Sequence, residues 1–107
     1  MTVEATRPVK TALERLAANP EEQEAYLRRL GVLPSVDELA LELDDAIAGI
    51  EVGNSRVKAA IQRLDEYLNA MSGEHQASLW TPAALRDASE WETVRTLARE
   101  ALAALDP

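Results

Sequence analysis

An all-α fold, a small helical bundle, is predicted from three observations. Good helix formers (Ala, Leu, Glu, Arg) are abundant along the chain. Apolar residues recur at spacings of three and four, and no stretch alternates as a strand does. Helix-start signatures stand at Asn19-Pro20-Glu21-Glu22 and at Thr81-Pro82. A chain of 107 residues reads as a single domain, 1–107.

Residues 1–8 are read as a frayed end, and Val9, Ala12, Leu13 and Leu16 mark one face of a first short helix ending near Asn19. Asn19 then caps a second helix, with Pro20 at its first position and Glu22 placed for the reciprocal cap. That helix carries Tyr26, Leu27 and Leu30 inward. It stops at Gly31, where a left-handed residue is wanted, and Arg28 and Arg29 suit the negative end of its dipole. After Val32-Leu33-Pro34, Ser35 and Glu38 repeat the capping pattern and open the central segment.

That segment, 36–71, carries a heptad stripe: Val36, Ala40, Leu43, Ile47, Ile50, Asn54, Val57, Ile61, Leu64, Leu68 and Met71. The register passes through Asn54 unshifted. A random loop would achieve that about one time in seven, so one continuous helix about 54 Å long is predicted. The alternative is a break near 51–54, with Asn54-Ser55 capping a new helix; Gly49 and Gly53, each costing roughly 1 kcal/mol in a helix, favour it. One flank is widened by Leu39, Ala46, Gly53, Ala60 and Tyr67, mostly small and none charged, as in a bundle rather than a two-stranded coil. Residues 72–81 form a polar loop. A last helix, 82–105, is capped by Thr81, stapled by Trp80 and Leu85, and faces inward with Ala88, Trp91, Val94, Ala98, Ala101, Leu102 and Leu105. The long helix should pack antiparallel on this one.

The formal net charge of −8 argues against nucleic acid and anionic membranes as partners, and suits a basic protein partner or simple solubility. There is no Cys, so thiolate chemistry and Cys-ligated metals are excluded. No apolar run approaches a membrane span and Met1 to Pro8 lacks the pattern of a signal peptide, so a cytoplasmic setting is expected.

Chemistry is sparse. Glu21 and Glu24, followed by Glu42 and Asp45, give E-x-x-E and then E-x-x-D. This pattern resembles the magnesium-binding carboxylates of the all-α nucleotide pyrophosphatases of the MazG type. The resemblance covers Glu21 to Asp45 and implies a metal held between two helices, bridging a nucleoside triphosphate. Read from the residues alone, the same carboxylates are a solvated acidic face. His75 is the only histidine, set in a polar loop with no second His. Ser72, Ser78 and Ser89 lack the flanking glycines of a nucleophile elbow, and no phosphate-binding glycine loop is present. Trp80 and Trp91 are core residues or interface anchors.

The expected function is therefore a non-enzymatic helical interaction or regulatory protein with no cofactor. It would form a homodimer through Leu43, Ile47, Ile50, Asn54, Val57, Ile61, Leu64 and Leu68, with Asn54 setting register. Two alternatives stand beside it: a magnesium-dependent nucleotide pyrophosphatase using Glu21, Glu24, Glu42 and Asp45, and a purely structural assembly subunit.

Overall fold

Capping chemistry sets where the first helices turn, and it behaves as the sequence suggests. A computed structural model describes residues 3–32, 35–48 and 55–105. Asn19 Oδ1 accepts from the Glu22 N–H at 2.9 Å, while its amide donates to the Glu22 carboxylate at 2.9 Å. Gly31 takes the left-handed conformation, φ 75°, so its N–H reaches the Arg28 carbonyl at 3.0 Å and Val32 N–H reaches Leu27 at 3.3 Å. Thr81 accepts from the Ala84 N–H at 3.2 Å.

The helices are α1 Val3–Ala17, α2 Pro20–Leu30, α3 Glu38–Ala48, α4 Ser55–Ala70, α5 Pro82–Asp87 and α6 Ser89–Leu105, with no strand among the described residues. Helix α1 runs back to Val3, so Pro8, the end of the segment expected to fray, lies inside the helix. Its ring removes one backbone N–H, yet the turn before it stays helical. Helix α3 opens at Glu38 rather than directly after Ser35, and Val36 is carried into the core before the helix begins. Residues 72–81 are not a plain loop; Glu74–Leu79 form a 3-10 turn.

The larger correction concerns 36–71. It is not one straight rod. Asp44 of α3 and Asp65 of α4 line the same groove. On a continuous helix they would stand about 32 Å apart. The longest dimension of the molecule is 40 Å, shorter than the rod about 54 Å long that continuity requires. Helix α4 therefore returns beside α3. The apolar register persists because both helices turn the same kind of face to one core. Residues 49–54, with Ile50 and Asn54 among them, lie outside the described residues.

The single helix expected over 82–105 is also two. Ala88 is extended, φ −78° and ψ 134°, which ends α5 and lets α6 begin at Ser89. The Leu85 carbonyl at the end of α5 accepts a hydrogen bond from Arg95 of α6. A buried carbonyl left without a partner would be costly, so the guanidinium makes the break tolerable.

Helix α6 packs on α1 and on α4, and α1 also packs on α3. The core gathers Val9, Leu13 and Leu16 from α1, Leu27 from α2, Leu39 and Leu43 from α3, Ile61 and Leu64 from α4, Leu85 from α5, and Trp91, Val94 and Ala98 from α6. It is aliphatic around one large ring, Trp91, which is fully buried. Trp91 meets Trp80 edge to face at 5.3 Å, and its indole N–H donates to the Leu79 carbonyl at 2.6 Å. Trp80 in turn donates to the Met71 carbonyl at 2.9 Å. The pair pins the end of α4 to the start of α6.

Candidate functional site

Most charged side chains that face a neighbouring helix are answered within the chain. Gln23 of α2 is 1% exposed and Arg95 of α6 is 6% exposed. Arg95 Nε donates to Gln23 Oε1 at 3.2 Å, and Gln23 Nε2 donates to the carbonyls of Arg15 at 3.0 Å and Leu16 at 3.1 Å. Burial lowers the Arg95 pKa from its ordinary value, and the neutral acceptors around it keep the charge tolerable. This network ties α1, α2, α5 and α6 together. It explains why two polar residues can sit in an aliphatic core.

The carboxylates singled out for a metal are placed apart and used otherwise. Glu24 pairs with Arg86 at 2.5 Å and with Arg28 at 3.5 Å. Glu42 pairs with Arg15 at 3.4 Å and accepts from the Tyr26 hydroxyl. The Arg15 guanidinium also lies over the Tyr26 ring, 3.9 Å from its centre. Burial first, then the hydrogen bond to Glu42, raises the Tyr26 pKa above its usual value. Glu21 and Asp45 are exposed. Among the described residues no group of three or more His, Asp or Glu is placed to hold a metal ion. The quartet Glu21, Glu24, Glu42 and Asp45 is thus not assembled as the pyrophosphatase resemblance implies. His75 is exposed in the 3-10 turn.

Of the heptad residues named for self-association, Ile50 and Asn54 lie outside the described residues and the others face the core. Leu43, Val57, Ile61, Leu64 and Leu68 are buried in the core, and Ile47 packs against it half-buried. Helix α1 contacts α3 and helix α6 contacts α4, so these residues are covered within the chain.

A groove of about 510 Å³ lies between α3 and α4, closed at one end by the 3-10 turn. Asp37, Ala40, Leu41 and Asp44 line one wall; Asp65, Leu68, Asn69 and Ser72 line the other; Gly73, Ala77 and Trp80 close the end. No Lys or Arg lines it. Leu41 is 51% exposed there, whereas the core leucines around it are closed off. Asp44 and Asp65 stand on opposite walls of the groove. Asp44 is held above the usual carboxylate range, first by partial desolvation at the groove wall, then by the neighbouring Asp65 and Asp45 carboxyls.

Sequence reasoning missed this site because its two walls come from one heptad segment read as straight. The signal was present: Leu41 is an apolar residue off the stripe, and Asp37 and Asp44 share the flank opposite Leu39 and Ala46. The chain matches no protein-family model, no curated protein and no solved structure. No helix among the described residues is long and apolar enough to cross a membrane.

Proposed function

We propose that this chain is a non-enzymatic interaction protein whose binding face is the α3–α4 groove. The observation that carries the reading is Leu41, 51% exposed in a concavity it shares with Leu68 and Trp80 and rimmed by Asp37, Asp44 and Asp65. A lone exposed leucine on a convex surface needs no explanation. An exposed leucine in a cleft between two helices is the usual seat for the apolar face of a third. The rim selects a basic partner, in keeping with the net charge of −8. A cytoplasmic setting accords with this reading. Catalysis has less to stand on: the described histidine is exposed and the described carboxylates outside the groove are held by arginines or by solvent.

The reading is tested by two-dimensional NMR titration with an amphipathic helical peptide of about fifteen residues, apolar on one face and basic at its edge. The expected result is perturbation of Leu41, Leu68, Ala77 and the Trp80 indole, abolished by Leu41→Glu. Perturbations centred on α6, or none at all at millimolar peptide, would sink it.

A further inference from the structure

Resting on the groove reading above, we infer that the occupant of the α3–α4 groove is the last turn of α2 from a second copy of this chain. Leu30 of one copy seats beside Leu41 of the other, and Arg28 and Arg29 meet its acidic rim.

Two large apolar side chains among the described residues stand open to solvent, Leu41 at 51% and Leu30 at 45%. Their surroundings are opposite in charge and in shape. Leu41 lies in a hollow with Asp37, Asp44 and Asp65 and with no Lys or Arg. Leu30 ends α2 directly after Arg28 and Arg29, and all three are exposed. Alone, Leu30 would be an ordinary surface residue. Beside two arginines it is the apolar and basic insert that the groove calls for. A chain of net charge −8 thus carries a local basic tip.

Shape favours a helix end over the middle of a long helix. Helices α3 and α4 pack on α1 and α6 rather than closely on each other, which leaves the slot between them. Its helical walls, 37–44 and 65–72, run for two turns, about 10 Å. The 3-10 turn and Trp80 then block it. Helix α2 stops sharply, because Gly31 at φ 75° turns the chain aside after Leu30. The carbonyls of Leu27 and Arg28 are already taken by the Val32 and Gly31 N–H groups, so they do not face the acidic rim bare.

The two arginines are available. Arg29 makes no ion pair among the described residues. Arg28 lies 3.5 Å from Glu24, but Arg86 holds the same carboxylate at 2.5 Å. Moving Arg28 to an aspartate of the other copy therefore leaves Glu24 answered. Within its own chain the tip does not line the groove, and buried Gln23 and Leu27 hold α2 in place.

Sedimentation velocity on the full chain, up to about 1 mM, tests the contact. A weak reversible association is expected, with a dissociation constant of about 100 µM, because one helical turn meets a short groove. Leu30→Glu and Leu41→Glu should each weaken it at least tenfold or so, with circular dichroism confirming the fold. A chain carrying Arg28→Glu with Arg29→Glu, and another carrying Asp37→Arg with Asp44→Arg, should each stay monomeric alone and associate when mixed. The basic helical peptide described above should disperse the unaltered assembly. A strict monomer at the highest concentration, association that survives Leu30→Glu, or no association in the charge-reversed mixture would overturn the second copy as occupant. Should the peptide still perturb Leu41 in that event, the groove reading stands; should it not, both fall.

Discussion

The seam joining α2 to α5 and α6 and the groove between α3 and α4 use the same residue chemistry to opposite ends. At the seam, Glu24 is gripped by Arg86, and buried Arg95 satisfies both Gln23 and the Leu85 carbonyl. In the groove, Asp37, Asp44 and Asp65 stand on the lining with no cation among them, beside a leucine left half bare. The difference teaches that an acidic count says little about function. What matters is which carboxylates the fold has already neutralised. An arginine-answered carboxylate is structural, and a carboxylate facing only its own kind is available.

The contrast predicts that substitutions on the seam side cost stability and substitutions in the groove do not. Trp91→Ala should be the most damaging, by about 3–5 kcal/mol in chemical denaturation, because a fully buried ring is removed from an aliphatic core. A loss under about 1 kcal/mol would mean that the core closes around another residue. Next, Arg95→Met should cost roughly 2–3 kcal/mol, since it strands the Gln23 amide oxygen and the Leu85 carbonyl. Adding Gln23→Leu should recover part of that loss, as apolar replacement of both partners removes an unmet demand. Strict additivity in the double-mutant cycle would contradict the network.

The smallest effect should lie in the groove and have the opposite sign. Asp44 binds its proton more tightly folded than unfolded. Its contribution to stability is therefore full below the ordinary aspartate value and is lost as pH rises through the raised one. Asp44→Asn should then match the unaltered chain near pH 3.5 and exceed it at pH 7 by a few tenths of a kcal/mol, since the group is exposed and salt-screened. Destabilisation at pH 7 would place Asp44 among the structural carboxylates after all.

The helical class, the two caps at Asn19 and Thr81 and the stop at Gly31 were legible because each rests on local chemistry. So was much of the inward face: Leu13, Leu43, Leu64 and Trp91 are buried, whereas Leu30 at the end of α2, expected inward, is 45% exposed. Periodicity reports which face of a helix is covered. It carries no information on whether the backbone continues, so the groove that brings Asp44 and Asp65 onto facing walls could not be foreseen from an unbroken register. The break at Ala88 was equally hidden, because the residue that compensates for it, Arg95, stands beyond it in the chain and reads as one more surface cation. The burial of Gln23 is hidden for the same reason: two of its partners are carbonyls of α1, invisible in any pattern of side chains.

Helix α1 rests on α6, the first described helix against the last. A polypeptide emerging from the ribosome would thus leave part of the α1 face uncovered until α6 has been made. Closing that contact joins segments far apart in sequence, which is slower than packing helices that follow one another directly.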